Sequence, residues 1–285
     1  MTSWWRRARL GGSVLFLAGC AQTFNLMDPA SPRFDGRYAS SPAPGRPGSP
    51  LRVVTFNIRL AKEIDRAIQV LQGEQLRGAD VIALQEMDPA GTERIARALG
   101  LNYVYFPSAI HPVRHAYFGP AILSPWPIED ESKLLLPHEG KIRHQRRTAT
   151  VAQVTVRGLP IRVYAVHLET QIRISERDRA DQVHAILDDA DRFTGPVVIA
   201  GDFNSSTAGA ILARAGFSWT TARVGPSVSI FSWDHIFVRG LLPVTGAGEA
   251  GVVRQVLGAS DHHPVWSVVV PTAASVAAAP VAANP

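Results

Sequence analysis

Cysteine is nearly missing from this chain of 285 residues: Cys20 is the only one. No disulfide can form within it, so the fold rests on its apolar core, for which a hydrophobic fraction of 46% is ample. Long hydrophobic runs are missing too. The stretch from Leu10 to Ala18 falls far short of the ~20 residues that cross a bilayer, which excludes a permanent span there. Surplus charge is also scarce. Lys and Arg exceed Asp and Glu by 29 to 24, and Arg6, Arg7 and Arg9 lie at the very start; setting those three aside lowers the formal charge from +5 to +2. So small a surplus does not by itself argue for nucleic-acid binding. There is no His-Glu-x-x-His, no Gly-x-Ser-x-Gly and no Walker-type glycine-rich loop. That removes the motif basis for a zinc peptidase, a nucleophile-elbow hydrolase or a P-loop enzyme.

What is present begins with a leader. Trp4 to Arg9 is a basic start, and Leu10 to Ala18 reads as the apolar core of a signal segment. Leu17-Ala18-Gly19-Cys20 resembles a bacterial lipobox, which implies removal of residues 1–19 and lipidation of Cys20. Ala21 after the cysteine implies sorting to the outer membrane. The expected location is therefore the bacterial cell envelope, lipid-anchored and facing the periplasm, with no obligate protein partner evident. From Asp28 to Pro50 the chain holds six prolines, so residues 20–50 are expected to be an extended, poorly ordered tether. Residues 271–285 carry no charge and no aromatic side chain and are expected to be a disordered Ala/Pro tail. The folded unit is then 51–270.

Inside it, short apolar runs alternate with helical patterns. Strands are expected at Leu51–Ile58, Asp80–Gln85, Ala121–Leu123, Thr148–Val156, Ile161–Leu168, Val197–Ala200, Asp234–Val238 and Val265–Val270. Ile64, Ala67, Ile68 and Leu71 mark an amphipathic helix. Thr92 is expected to cap a second helix ending at Gly100, Ser175 with Asp178 to open a third, and Ser205 or Ser206 to cap a fourth. Strands apolar throughout are buried on both faces, so helices should cover the sheets, an α/β class.

The informative feature is what interrupts or ends these runs. Val197 to Ala200 stops at Gly201-Asp202-Phe203-Asn204, and Ser260-Asp261-His262-His263-Pro264 precedes the last strand. Asn57, Glu86, His167 and Asp234 stand at further strand ends. Strand ends on a rigid sheet are where catalytic groups sit. Hard oxygen ligands without thiolates favour Mg²⁺, Mn²⁺ or Ca²⁺ over zinc. Singly, each residue has an ordinary reading: Asp-x-Asn after a strand is a turn, a lone strand histidine is a satisfied core residue, and a strand-end Glu pairs with a base.

In order, Thr55-Phe56-Asn57-Ile58, Leu84-Gln85-Glu86, Phe118-Gly119-Pro120-Ala121-Ile122-Leu123-Ser124, Val166-His167-Leu168, Gly201-Asp202-Phe203-Asn204, Asp234-His235-Ile236 and Ser260-Asp261-His262-His263-Pro264 resemble the endonuclease/exonuclease/phosphatase, or DNase I-like, superfamily. The resemblance implies a four-layer α/β sandwich, with two mixed β-sheets face to face and helices outside. It implies Glu86 as principal metal ligand, with Asn57 and Asp261 near the metal. It further implies Asp202 orienting or deprotonating water, Asn204 donating to phosphoryl oxygens, and His262 acting at phosphorus with its imidazole held by Asp234. His167 would contact the scissile phosphate. The base role stays open between Asp202 and His262.

The chain departs from the family pattern at Gly119-Pro120 and Ser124-Pro125, where an amide and an arginine are missing. Arg114 and Arg147, from basic clusters preceding strands, are candidate phosphate contacts. The expected function is divalent-metal-dependent hydrolysis of a phosphate ester, by in-line attack of activated water on a phospholipid or headgroup. The alternatives are an envelope endonuclease or exonuclease on DNA or RNA, and a non-catalytic binding domain.

Overall fold

In chain order the elements are β1 (Phe24–Asn25), β2 (Phe34–Gly36), β3 (Leu51–Asn57), a 3-10 turn at Arg59–Ala61, α1 (Ile64–Leu71), β4 (Val81–Met87) and α2 (Pro89–Leu99). Next come β5 (Asn102–Tyr105), β6 (Ala109–Ile110), β7 (Tyr117–Ser124), β8 (Ile128–Glu139), β9 (Arg146–Val156), β10 (Leu159–His167) and α3 (Glu176–Ala190). The rest are β11 (Val197–Asp202), α4 (Ala208–Arg214), β12 (Ser218–Trp219), β13 (Asp234–Arg239), β14 (Leu241–Pro243), β15 (Ala250–Val252), β16 (Val265–Pro271) and α5 (Ala273–Ala277). This computed structural model describes residues 23–40, 46, 48–244, 246 and 249–279. The leader, Cys20 and the end of the tail lie outside the described residues.

Two mixed sheets form. The first runs β1-β6-β7-β4-β3-β16-β14, with β15 added to β16 and with β5 between β2 and β7. The second runs β12-β13-β11-β10-β9-β8. Only β3/β4 and β10/β11 pair in parallel; the other pairings are antiparallel.

Strand alternation builds the layers. Val53 of β3 and Val198 of β11 point between the sheets, where they join Ala83, Val104, Val163 and Ala165 in one apolar cluster. Val54 and Phe56 point outward and pack beneath α1 and α2 through Ala67, Leu71, Ile95 and Ala96. Val197 and Ile199 likewise face α3 and α4 through Val183, Ile186 and Leu212. Helix, sheet, sheet and helix stack in that order, the four-layer sandwich that the motifs imply.

The expected strands all form, with ends shifted by a few residues. The cap of α2 differs from expectation. With Pro89 in its first turn the helix begins early, so Asp88 caps it by accepting from the Gly91 N–H at 2.7 Å, and Thr92 lies inside the helix. Ser175 and Asp178 form the expected capping box at α3.

The tether expectation is corrected over 23–40. β1 pairs with β6 and β2 with β5. Phe34 packs on Tyr105 and Tyr117 at ring distances of 5.9 and 5.6 Å, and Tyr38 stacks on Tyr103 at 6.2 Å. Lys133, buried, donates to the Leu26 and Ser31 carbonyls, both at 2.8 Å. The prolines masked a few aromatic residues spaced to pack on a sheet edge. The tail expectation is corrected at its start, where the Thr272 hydroxyl caps α5 by accepting from the Ser275 N–H. Every described element and all three apolar clusters lie between Phe24 and Ala279, so this stretch closes its own cores.

Candidate active site

The parallel pairs decide where chemistry can gather. The C-terminal ends of β3 and β4 lie side by side, as do those of β10 and β11, and the two ends face each other at one edge of the sandwich. His167 is in register with Asp202, and Asp202 with Asp234 at the start of β13. Asn57 ends β3 opposite Gln85. The β4/β7 register shifts between Leu84 and Met87, and Glu86 takes a left-handed φ of 60° there. Such a bulge re-aims a side chain, here into the site, at a backbone cost that a non-glycine residue bears only when its surroundings enforce it.

Asp202 is the hub. Its Oδ2 lies 3.0 Å from Asn57 Nδ2, 3.5 Å from His167 Nε2 and 3.8 Å from His262 Nε2. Its Oδ1 accepts from the Asn204 N–H at 2.9 Å. Burial, then the charge of Asp234, pushes the Asp202 carboxyl up to about 7 against the opposing pull of His262 and two hydrogen bonds. His262 Nδ1 sits 2.8 Å from Asp234 Oδ2. Burial alone would lower this imidazole, but Asp234 and Asp202 outweigh it and raise it to about 10. His262 is thus a cation at neutral pH, and Asp202 is the group able to exchange a proton there.

His167 is the opposite case. Arg147 Nη1 lies 3.0 Å from its Nδ1, and Arg147 Nη2 donates to Glu169 Oε1 at 3.1 Å. A guanidinium can only donate, so Nδ1 holds a lone pair and the single proton of His167 resides on Nε2, the nitrogen facing Asp202. Burial and then Arg147 hold this imidazole well below its ordinary range. His167 is a neutral donor.

The expected residues do not all keep their expected roles. Arg147 is corrected: at 4% exposure its guanidinium is engaged by His167 and Glu169, which places it to orient His167. Asn57 directs its amide nitrogen at both Asp202 and Glu86 (3.3 Å), bridging the two acids, while its oxygen accepts from the Arg59 N–H and keeps a second lone pair. Asn204 spends one amide hydrogen on the Leu168 carbonyl and has one left for a phosphoryl oxygen. Asp261 is half exposed and pairs with Arg59 at 3.4 Å. Arg114, exposed at the rim, donates to the Leu60 carbonyl. Sequence reasoning missed Glu169, fully buried, which holds Arg147; its only signal was a position two residues past His167. It also missed Leu60, whose N–H donates to Glu86 Oε2 at 2.9 Å.

The donor set fits a hard divalent cation. Glu86 and Asp202 flank one amide nitrogen, and Asp202 and Asp234 offer carboxylate oxygens within 4.8 Å of each other, while the His262 cation has no lone pair to add. Asp234 Oδ1 is buried without a partner. Oxygen predominates and there is no thiolate among the described residues, which suits Mg²⁺, Mn²⁺ or Ca²⁺.

The sequence profile described as Endonuclease/Exonuclease/phosphatase family matches residues 54–262. The chain belongs to that family. Members of the endonuclease/exonuclease/phosphatase family are metal-dependent hydrolases of phosphoester bonds, which makes this chain a metal-dependent phosphoester hydrolase. Among curated proteins no sequence relative matches. Solved structures share its fold. A family member from Beutenbergia cavernae is 22% identical, with a TM-score of 0.63, over 82% of this chain and 74% of that one. A sphingomyelinase C from Streptomyces griseocarneus is 16% identical, with a TM-score of 0.56, over 79% of this chain and 100% of the other. TDP2 from D. rerio, in complex with a single-strand DNA product, is 19% identical, with a TM-score of 0.59, over 78% and 99%.

Proposed function

We propose that this enzyme cleaves the phosphate ester of a membrane phospholipid or its headgroup, from the bacterial envelope where lipidated Cys20 would hold it. The observation that supports the chemistry is the convergence of Asn57, His167 and His262 on one oxygen of Asp202. A water beside Asp202 transfers its proton to that carboxylate as its oxygen bonds to phosphorus, and the bond from phosphorus to the leaving oxygen breaks in line. The His167 Nε2–H, the His262 cation and the free Asn204 N–H donate to the oxygens where charge grows. A divalent ion, which Glu86 would hold, would polarise the phosphoryl group. The lipobox-like leader and the small net charge support a lipid substrate, as does the likeness to a sphingomyelinase C. A nuclease is the second reading, favoured by the likeness to a protein solved with a DNA product.

The test is hydrolysis by the 23–285 fragment with Mg²⁺ or Mn²⁺ on choline, glycerol and inositol phospholipids, a phosphomonoester and plasmid DNA. Metal-dependent turnover of a phospholipid, abolished by EDTA and reduced at least about a hundredfold in His262→Ala, is expected. Turnover confined to DNA, with affinity falling steeply in salt, would sink the lipid reading.

A further inference from the structure

Exposed aliphatic residues are ordinary when scattered singly. Here they gather at the mouth of the site. Phe24, Val113, Ile142 and Ile172 are 65%, 62%, 51% and 80% exposed, and Ile230 stands at 78% in a loop that Val228 bridges to His262. Each of the three aliphatics Val113, Ile142 and Ile172 is followed at once by an arginine: Arg114, Arg143 and Arg173.

The segments that carry them touch. Lys141 N–H donates to the Arg173 carbonyl at 2.8 Å, and Thr23 N–H to the Arg143 carbonyl at 2.9 Å. Phe24 pairs with Ile110, just ahead of the Val113 loop. They also border the catalytic groups. Arg114 donates to the carbonyl of Leu60, the residue that holds Glu86, and Arg173 comes within 3.7 Å of Glu169. Among the described residues neither Arg114 nor Arg143 has a carboxylate within 4.0 Å, so both keep their charge for something outside the chain. His111 sits among these cations: burial first, then Arg143, Arg114, Arg173 and Arg147, lowers its proton affinity.

We propose that this rim docks on an anionic phospholipid surface, with the aliphatic side chains entering the headgroup boundary and the adjoining arginines meeting lipid phosphates. Aliphatic side chains adjoining the unneutralised Arg114 and Arg143 match such an interface on both counts, whereas a nucleic acid would use the charges and aromatic rings but not the aliphatic side chains. No described helix is long and apolar enough to cross a membrane, so the contact belongs to loops. Thr23, the first described residue, lies on this rim, and Cys20 is three residues upstream, within a reach of roughly 10 Å. An acyl chain there and the docking rim would engage the same bilayer. The proposal deepens the phospholipid reading and depends on it for the identity of the substrate, but not for the binding itself.

The experiment is co-sedimentation of the 23–285 fragment, free of Cys20, with vesicles of phosphatidylcholine alone or with one third phosphatidylglycerol. Salt-sensitive binding to the anionic vesicles is expected. It should fall at least about tenfold in the combined variant Val113→Ser, Ile142→Ser, Ile172→Ser. Arg143→Gln should weaken it a few-fold on the anionic vesicles only. Thermal melts and hydrolysis of a soluble phosphodiester, both unchanged in the serine variant, confirm its fold and site. No sedimentation, equal sedimentation of parent and serine variant, or tighter retention on a single-stranded oligonucleotide would overturn the proposal. Vesicle binding as expected without turnover of any phospholipid upholds docking while refuting the substrate reading.

Discussion

Two histidines face one aspartate, and their neighbours give them opposite charge states. Asp234 keeps His262 protonated, while burial first and then Arg147 keep His167 neutral, with Arg147 fixing its proton on Nε2. Arg147→Met should therefore free His167 to exchange tautomers and raise its proton affinity part of the way, because burial, the larger cause, remains. Turnover of a soluble phosphodiester should fall about 10- to 100-fold with KM little changed. Long-range ¹⁵N spectra should show both ring nitrogens of His167 averaging. An Nδ1 resonance that stays unprotonated in the variant would show that Arg147 sets nothing. This pairing was not legible in the sequence. The run Lys141 to Arg147 reads as a solvated charged loop, and only Glu169, arriving just beyond the adjacent strand, makes burial of its last arginine tolerable.

At the scale of elements, the strand ends were the legible part. An apolar run stopping at an acid or imidazole is visible in sequence, so Asn57, Glu86, His167, Asp202, Asp234 and His262 could be named and do meet. The bulge that turns Glu86 was hidden, because register depends on a partner strand. So was β8, whose charged residues alternate only weakly with apolar ones. β13 and β12 carry a testable pair. Trp219 Nε1–H donates to His235 Nδ1 at 3.2 Å, and His235 Nε2 meets the Ser232 carbonyl at 2.9 Å, so the neutral ring is fully matched. Burial lowers His235 to about 4, outweighing Asp234. A depressed histidine contributes stability that is fully present above its unfolded value near 6.5 and is lost as pH falls toward 4. The melting temperature should accordingly decline over that window, and less steeply in His235→Phe once each curve is referenced to pH 7. Parallel curves for parent and variant would refute the assignment.

For the whole molecule, the segment before β3 is part of the fold. Family similarity begins at residue 54, yet Phe34 and Tyr38 cover Tyr105, Tyr117 and Tyr103, and Lys133 finds its acceptors at Leu26 and Ser31. A fragment starting at Leu51 loses two half-buried aromatic side chains with their three ring contacts and leaves a buried ammonium short of partners. We expect it to melt about 10 °C or more below the 23–285 fragment, since each apolar side chain contributes roughly 1.5–3 kcal/mol and each kcal/mol shifts the midpoint by about 2–4 °C. Equal melting temperatures would return this segment to the role of a loose tether.

β16 lies against β3, so the last long strand of the sequence is the neighbour of the first. During synthesis β3 therefore waits with one edge open until β16 has emerged. His262, just upstream of β16, reaches the site at the same late moment. A polypeptide that has not yet made β16 thus carries Asn57 and Glu86 from early on but lacks His262, so hydrolysis waits on the strand that closes the sheet.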